Sequence, residues 1–521
     1  KERPLSQLRY PGAHAQTNPD RVAMTMAGTG DTVTFGELDA TANRLARTFA
    51  SLGLEYEGHV AACMENRLEV LEVAWGAHYA GLHYTFFSTH LTADEAAFII
   101  EDSGSKVVVL TPAMAERLMP ALAELVGDDV TFVSVGGEVE GAQNLDALAA
   151  EQSPDPLPGA LEGTDMLYSS GTTGRPKGVL RQLTGQPLGT SAGLGLLGEL
   201  LMGMNTESVY LSPAPMYHAA PLKWSIESLA LGASVVLMER FEPEAVLDAI
   251  QTHRVTHAQF VPTMFVRMLK LPEEVRIGYD VSSLVGVIHA AAPCPPDVKR
   301  QMMDWMGPII NEYYAGTEGS GFCWASAEDW LGHPGTVGKP LVGVIHIVGP
   351  DGEELPVGEE GVVYFGEGPQ FAYHNDPTKT AEAHHPKGWS TLGDIGKVDE
   401  DGFLYLTDRQ TNMIITGGVN VYPQEAENVL ASHPDIYDVA VIGVPNEDFG
   451  EEVKAVVQLM DGVEASDQLA AELVEYCRER MAHVKCPRSI DFTDELPRLP
   501  TGKLVKRHLR DSYWEGTGSR I

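Results

Sequence analysis

Strand-like apolar runs alternate with amphipathic helical segments along the first half of the chain. In residues 35–52, the spacing of Leu38, Leu45 and Phe49 predicts a helix with one buried face. Residues 107–110, Val-Val-Val-Leu, indicate a buried strand of the kind found inside parallel sheets. Because repeated strand–helix units build parallel sheets covered by helices, we expect an α/β fold for this half.

The later part of the sequence has a different character. Glycine and turn residues are dense between residues 335 and 410. The Asp-Gly steps at 351–352 and 401–402 lie between strand-like runs, which predicts hairpins in a small antiparallel unit. Beyond Arg409 we expect a compact α+β unit, with helices over 423–432 and 468–481 and strands over 439–444 and 453–459.

The charge balance excludes two classes of partner. The chain has 521 residues with 36 Lys plus Arg against 73 Asp plus Glu, a formal net charge of −37. A protein that binds nucleic acid normally carries a broad basic surface, and an anionic membrane also attracts basic segments. We therefore expect no nucleic-acid partner, and any phosphate-bearing ligand must be held by a local site.

Cysteine usage and hydropathy point to the cytoplasm. The five cysteines are scattered, odd in number and without a Cys-x-x-Cys pair, which argues against a disulfide framework or a zinc site. No run of 18 apolar residues appears, so we expect no transmembrane segment. The printed start, KERPLSQLRY, has no hydrophobic signal segment.

Residues 168–178, Tyr-Ser-Ser-Gly-Thr-Thr-Gly-Arg-Pro-Lys-Gly, carry the strongest chemical signal. Glycine lets the backbone approach an anion, and successive N–H groups with Ser and Thr hydroxyls surround phosphate oxygens. Lys177 adds a point charge. The string is not a Walker A loop, because Lys177 is followed by Gly178 rather than by Ser or Thr.

This string resembles the phosphate-loop signature of the adenylate-forming superfamily, which includes acyl-CoA synthetases, adenylation domains of peptide synthetases and firefly luciferase. Further motifs follow in the family's order along nearly the whole chain. The resemblance implies a large N-terminal domain, residues 1–409, with two α/β subdomains and a small β-barrel, followed by a smaller mobile α+β domain, residues 410–521. It also implies that ATP phosphates are bound by Ser169, Ser170, Gly171, Thr172, Thr173, Gly174 and Lys177.

Two further motifs concern the nucleotide and its metal. Residues 311–319, Asn-Glu-Tyr-Tyr-Ala-Gly-Thr-Glu-Gly, resemble the family's second signature. By that match Tyr314 stacks on adenine, Thr317 bonds the α-phosphate and Glu318 coordinates Mg²⁺, a hard cation suited to oxygen ligands.

Other nucleotide contacts follow from the same resemblance. The small residues Ala291 and Ala292 match the segment that lines the purine. Asp394, in a Gly-Asp step, matches the aspartate that binds the ribose hydroxyls, a sound bidentate pairing. Arg409 matches the arginine that contacts the nucleotide before the hinge.

The hinge and the C-terminal domain carry the remaining signals. The family's pivot position is Thr411, which departs from the usual acidic or basic residue, as does the neighbouring Asn412. Gly417 and Gly418 resemble the loop that borders the pantetheine tunnel of CoA, and Lys503 resembles the lysine that reaches the acyl carboxylate and α-phosphate. Residues 483–510 hold seven Lys plus Arg against three Asp plus Glu, either to meet CoA phosphates or as a solvated helix face.

Fewer motifs indicate the residues that bind the acyl group. His218 resembles the histidine that gates the acyl site. The segments that line this site in relatives are small in this chain, namely Ala219–Ala220, 290–292 and 319–321. A roomy apolar pocket favours large hydrophobic acids, so we expect a medium-chain, long-chain or polycyclic acid.

The resemblance implies an acyl-CoA synthetase that uses ATP, Mg²⁺ and coenzyme A. Lys503, Thr317, Glu318 and His218 are the expected catalytic residues. Three alternatives stay open: an enzyme of the thioester-forming half-reaction alone, an amino-acid adenylation enzyme, and a nucleotide or acyl binder without full chemistry. The sequence is also compatible with a homodimer.

Overall fold

The computed structural model describes residues 8–169, 176–190, 193–409, 412–416, 419–446, 448–498 and 504–514. By its internal contacts the chain divides into two compact units. The first unit runs to residue 260 and includes 271–287 and 371–380, whereas the second comprises 261–270, 288–370 and 381 onward. The boundary expected at residue 409 stays a prediction.

The first unit holds two sheets and a hairpin. Its strands are β1 (Val22–Met26), β2 (Thr32–Thr34), β3 (His59–Cys63), β4 (His83–Phe86), β5 (Val107–Leu110), β6 (Thr131–Ser134), β7 (Gln143–Asn144), β8 (Thr164–Asp165), β9 (Leu167–Ser169), β10 (Lys177–Val179), β11 (Val209–Ser212), β12 (Ser234–Leu237) and β13 (His257–Phe260). One sheet is parallel throughout, in the order β7-β6-β5-β3-β4-β8. The other has the order β2-β1-β12-β11-β13, antiparallel only between β1 and β2.

The second unit contains three groups of strands. The first group is β14 (Gly286–His289), of which residues 288–289 belong to this unit, β15 (Ile310–Ala315), β16 (Phe322–Ala325) and β17 (Lys339–Val342). The second group is β18 (Val344–Val348), β19 (Gly361–Gly366), β20 (Ser390–Val398) and β21 (Leu404–Arg409). The third group is β22 (Ile414–Thr416), β23 (Val419–Val421), β24 (Ile436–Asn446), β25 (Gly450–Leu459) and β26 (Ser489–Thr493). The second group is an antiparallel sheet in chain order, and both Asp-Gly steps lie in its hairpin connections as predicted. The third group has the order β23-β22-β25-β24, with β26 parallel to β25.

Helices connect these strands. They are α1 (Pro11–Ala15), α2 (Phe35–Ser51), α3 (Leu68–Tyr79), α4 (Ala93–Ser103), α5 (Pro112–Val126), α6 (Leu145–Ala150), α7 (Gly193–Met202), α8 (Ala219–Leu231), α9 (Pro243–His253), α10 (Pro262–Leu269), α11 (Glu273–Arg276), α12 (Pro296–Met306), α13 (Ala327–Gly332), α14 (Pro377–Glu382), α15 (Pro423–Ala431), α16 (Asp467–Arg478) and α17 (Lys506–Trp514). This order confirms the expected mixed α/β architecture with a smaller α+β part at the C-terminal end.

Helix α2 illustrates how the sequence builds these elements. Thr34 accepts a hydrogen bond from the N–H of Glu37, whose side chain accepts one from the N–H of Thr34. This capping box satisfies backbone donors that the first turn leaves free. The predicted apolar face is buried, with Leu38 and Phe49 at 0% exposure. Packing and capping thus agree over the same residues.

Two more features of the fold are the free cysteines and the lengths of the helices. All five cysteines are free, and burial raises the pKa of the thiols of Cys63 and Cys323 to about 12. Four of the five are buried, as structural thiols commonly are. None of the helices within the described ranges has the length and hydropathy required to cross a membrane.

Candidate active site

The phosphate-loop motif forms the two strands of a hairpin in the first unit. Strands β9 and β10 pair antiparallel, with Lys177 opposite Ser169 and Gly178 opposite Tyr168. The Tyr168 hydroxyl donates to Asp102 at 2.6 Å. Residues Ser170, Gly171, Thr172, Thr173 and Gly174, and the side chain of Ser169, lie outside the described residues.

A neighbouring segment fixes strand β10. The N–H of His374 donates to the carbonyl of Gly178 at 2.8 Å, and Val179 forms a bridge with Tyr373. The Lys177 ammonium lies over the Tyr373 ring, 4.7 Å from its centroid, a favourable cation–π distance. No motif indicated these partners, because they belong to a separate segment almost 200 positions later.

Three residues expected to bind the nucleoside meet in the second unit. The Tyr314 hydroxyl, on β15, donates to Asp394 Oδ2 at 2.6 Å. Arg409 Nε lies 3.2 Å from Asp394 Oδ1, and the two residues are direct partners in the β20–β21 ladder. Asp394 is 6% exposed. Burial and the neighbouring Asp394 carboxylate raise the pKa of Tyr314 well above its usual range, so this tyrosine stays a neutral donor.

The ring of Tyr314 is itself supported. It stacks on Phe365 of β19, with the centroids 6.0 Å apart and the planes 30° from parallel. Strands β15 and β19 belong to different sheets of this unit. The contact therefore fixes the aromatic ring relative to the carboxylate that its hydroxyl binds.

Thr317 and Glu318 follow directly after β15 in a tight turn. The N–H of Gly319 donates to the carbonyl of Gly316 at 3.1 Å, and Gly319 adopts a φ of +70°, which favours glycine. A Cβ at Gly316 would lie 2.6 Å from Glu318 Oε2, so the missing side chain leaves room for this carboxylate. Both Thr317 and Glu318 are partly exposed, as ligand-binding side chains must be.

The expected purine segment follows strand β14. Ala291 is exposed and has a φ of +74°, in the left-handed region that residues other than glycine seldom occupy. Ala292 is partly exposed. Strained backbone of this kind clusters at functional sites.

His218 lies in the first unit, at the N-cap of α8. Its ring is tilted by 60° against Tyr217, with the centroids 4.5 Å apart, and its side chain is partly exposed. Ala219 and Ala220 open the helix and are also partly exposed. Lys223, one turn later, lies 3.1 Å from Asp165.

The hinge region shows two contacts that the motifs did not indicate. Asp408 Oδ1 accepts a hydrogen bond from Asn412 Nδ2 at 3.0 Å, and Asp408 Oδ2 accepts one from the N–H of Gln424 at 3.1 Å. Asn412, a departure from the family pattern, therefore binds the residue that precedes Arg409. Thr411 lies outside the described residues.

The C-terminal signature is anchored at both flanks. Arg498 binds the Asp438 carboxylate through Nε and through Nη2, the latter at 2.6 Å from Oδ1. Arg498 also forms a bridge with Leu504. Lys503 lies between these flanks but outside the described residues, as do Gly417 and Gly418. Asp438 is a supporting residue that only the fold reveals, since it is distant in sequence.

A magnesium ion fits the residue types of this region. Within the part of the chain that the structure describes, no three His, Cys, Asp or Glu side chains are grouped to hold a metal by themselves. Mg²⁺ commonly uses one or two carboxylates and completes its shell with phosphate oxygens and water. The single carboxylate of Glu318 agrees with that arrangement.

Comparisons with family models and with known proteins indicate the same family. Residues 12–372 match the model of the AMP-binding enzyme family, and residues 425–503 match that of the AMP-binding enzyme C-terminal domain. A long-chain-fatty-acid–CoA ligase, FadD13 of Mycobacterium tuberculosis, is 32% identical over 96% of this chain and 97% of its own. A feruloyl-CoA synthase from Amycolatopsis is 33% identical, over 97% and 98% of the two chains. A Rhodococcus jostii CoA ligase named for a methyl-dioxo-octahydroindenyl propanoyl group is 32% identical, over 94% and 95%.

Proposed function

Because the chain belongs to the AMP-binding enzyme family, we propose that it joins a hydrophobic carboxylic acid to coenzyme A through an acyl-adenylate. In the first step a carboxylate oxygen attacks the α-phosphorus of ATP, and pyrophosphate leaves with the electrons of the broken P–O bond. In the second step the CoA thiolate attacks the acyl carbon, and AMP leaves. The Tyr314–Asp394–Arg409 cluster is the observation that carries this proposal.

This cluster gives the nucleoside a fixed polar partner. A carboxylate held by Tyr314 and Arg409 presents its oxygens in a set orientation, suited to two neighbouring ribose hydroxyls. The stacked Tyr314 ring then offers a flat apolar face to adenine. Orientation of this kind is the main contribution that the protein makes to a displacement at phosphorus.

Charge on the phosphates is met by a few local groups. Lys177, the backbone of the loop that follows β9, and Thr317 are the proposed phosphate ligands. Glu318 would hold Mg²⁺, which when bound neutralises phosphate charge. In a chain of net charge −37 such local stabilisation is essential, because the overall field repels ATP.

The C-terminal domain, proposed as residues 410–521, serves both steps. Lys503 stabilises the charge that develops during adenylation, and the Gly417–Gly418 face borders the pantetheine arm during thioester formation. Rotation about Thr411 exchanges the two faces. The Asp408–Asn412 contact lies at this pivot.

The acid is proposed to be medium-chain, long-chain or polycyclic. The names of the three relatives cover a long-chain fatty acid, a feruloyl group and a bicyclic propanoyl group. The first residues of α8 are small and partly exposed, which fits a wide apolar wall. Gly321 does not add volume, since a Cβ there would strike the Phe365 ring at 2.1 Å.

An amino acid is disfavoured as substrate. An adenylation site for amino acids needs an acidic partner for the ammonium group near the segment that follows His218. That segment runs Ala-Ala-Pro-Leu, and the first charged residue after it is Lys223, a cation.

The test is pyrophosphate release from ATP across a panel of acids, with and without CoA, paired with thioester formation from supplied acyl-AMP. A full synthetase releases pyrophosphate without CoA and completes both half-reactions. An enzyme of the second half-reaction alone makes thioester from acyl-AMP but never releases pyrophosphate. A binder does neither, and either of the last two outcomes would refute the proposal.

A further inference from the structure

Three ionisable side chains meet in the core of the second unit, and no step above uses them. Lys299 of α12 and His289 of β14 are 0% exposed, and Glu312 of β15 is 5% exposed. Lys299 Nζ lies 2.8 Å from Glu312 Oε2, and His289 Nε2 lies 3.2 Å from the same oxygen. We call these residues the buried triad.

The triad pairs the Lys299 ammonium with the Glu312 carboxylate, and the His289 ring lies against the same carboxylate oxygen. Burial opposes the charge of Glu312, but His289 and Lys299 outweigh it and lower the pKa of the carboxyl to about 2. Burial lowers the pKa of His289, which opposes a charge on its ring. Trp330 covers the Lys299 ammonium, 4.9 Å from its ring centroid, and Phe265 meets the His289 ring edge-on.

Two members of the buried triad, His289 and Glu312, lie next to segments that are proposed to bind the nucleotide. His289 immediately precedes residues 290–292, the proposed purine wall. Glu312 stands two positions before Tyr314 on the same strand. The His289–Glu312 contact therefore links the two pieces of backbone that the purine would contact, and Lys299 holds the Glu312 carboxylate in place.

The purine wall needs such an anchor because its backbone is strained. Ala291 has a φ of +74° and is exposed. Alanine leaves the left-handed region unless the surrounding structure over-determines it. The triad fixes the residue at one end of the turn, and Pro293 restricts the other.

We propose that Lys299, Glu312 and His289 are positioning residues that hold residues 290–292 in the strained conformation and so form the purine wall before the nucleotide arrives. The inference rests on the proposed nucleotide site. A preformed wall avoids the ordering cost that binding would otherwise carry.

The test replaces the charges without leaving one unpaired. Removing a single partner of a buried ion pair leaves an uncompensated charge, whereas exchanging both for apolar residues of similar size is tolerated. We therefore combine Lys299→Met with Glu312→Leu, and confirm folding by circular dichroism. The dissociation constant of AMP, measured by calorimetry, should rise about tenfold.

A rescue variant separates positioning from stability. Ala291→Gly, added to the double variant, takes a positive φ without strain and should recover about fivefold of the lost AMP affinity. A stability role alone predicts a lower melting temperature with unchanged AMP affinity. Unchanged affinity, or a loss that glycine does not restore, overturns the inference.

Two further variants complete the design. If the double variant does not fold, His289→Leu keeps the ion pair and should weaken AMP binding about threefold, with the same rescue; unchanged affinity again overturns the inference. Lys454→Met with Asp491→Leu removes a 2.7 Å ion pair from the C-terminal sheet and should leave AMP affinity unchanged.

Failure of this inference can be distinguished from failure of the proposed function. If wild-type enzyme releases no pyrophosphate with any acid, the proposed function fails. If wild-type enzyme is active and the triad variants bind AMP normally, only this inference fails.

Discussion

At the scale of single residues, Asp394 joins two other residues of the proposed nucleotide site. It accepts a hydrogen bond from Tyr314 and pairs with Arg409 while nearly buried. The motif predicted the aspartate, because a Gly-Asp step can be recognised from a single sequence. The tyrosine and arginine partners were assigned separate roles, and only the pairing of β20 with β21 and the position of β15 bring them together.

Asp394→Asn should lower kcat/KM for ATP by about 10- to 100-fold, since a hydrogen bond to a charged group is worth about 1.5–3 kcal/mol. KM for CoA should change little. The measurement is pyrophosphate release at varied ATP. Asp399→Asn is the matched control, because Asp399 also accepts a tyrosine hydroxyl, from Tyr405 at 3.0 Å, at the hairpin end between β20 and β21. Equal losses in the two variants would contradict the assignment of Asp394.

Lys503→Ala should slow acyl-AMP formation by about 100-fold or more, the usual cost of a lost transition-state donor. Thioester formation from supplied acyl-AMP should survive, because another face of the domain serves that step. The two half-reactions are measured separately. Arg478→Ala, a cation of the same domain in an exposed pair with Glu475, should affect neither. Similar loss of both half-reactions in Lys503→Ala would rule out the proposed role.

At the scale of elements, apolar periodicity and capping residues predicted which helices and strands form better than they predicted where those elements end. The apolar spacing of α2 and the Thr34 cap place the helix at Phe35–Ser51, one residue from the expected end. Strand β24 was predicted over 439–444 but spans Ile436–Asn446, because its ladder with β25 continues through Pro445 and Asn446. The extra length depends on pairing with the partner strand, and the residues of β24 alone do not indicate it.

The buried triad marks a second limit of sequence reasoning. Its members lie on a strand, a helix and the next strand, and a lysine inside α12 looks like any surface charge of an amphipathic helix. Only the packing of α12 against β15 shows that Lys299 points inward.

Thr411→Pro should impair one half-reaction far more than the other. Proline fixes φ and so favours one orientation of the domain that follows the pivot. Rapid-mixing assays of adenylation and of thioester formation provide the measurement, and Thr411→Ala, which keeps φ free, is the control. If Thr411→Pro leaves both rates unchanged, the pivot lies at another residue.

At the scale of the whole molecule, the order of motifs and the strand–helix alternation predicted the fold class and the family, both of which are confirmed. The acyl substrate was predicted only as a class. Pocket shape depends on which small residues face open space, and Gly321 shows that a small residue also accommodates a neighbouring ring. Membership of the family therefore leaves the acid to be determined by experiment.

Acid selectivity should follow hydrophobic size. Each buried CH₂ contributes about 0.8 kcal/mol, so kcat/KM should rise about fourfold per CH₂ until the pocket is full. Octanoate, palmitate or a steroid-type acid should outperform acetate and benzoate. A best rate with acetate or benzoate would refute the pocket argument.

Ala220→Leu should shift this preference toward smaller acids, because it adds bulk near the start of α8 without disturbing helical backbone. Leucine at Gly319 is less informative, since the φ of +70° there strains any side chain. Ala121→Leu, on an exposed position of α5, is the matched control and should leave selectivity unchanged. No shift in Ala220→Leu would mean that α8 does not line the acyl site.

The most direct test of the acyl-adenylate route follows oxygen atoms. The enzyme is supplied with an acid that carries ¹⁸O in both carboxylate positions, together with ATP, Mg²⁺ and CoA, and the products are weighed by mass spectrometry. Attack of the carboxylate on the α-phosphorus predicts one ¹⁸O in each AMP, one in each thioester carbonyl and none in pyrophosphate. AMP without label, or label in pyrophosphate or inorganic phosphate, would contradict the account.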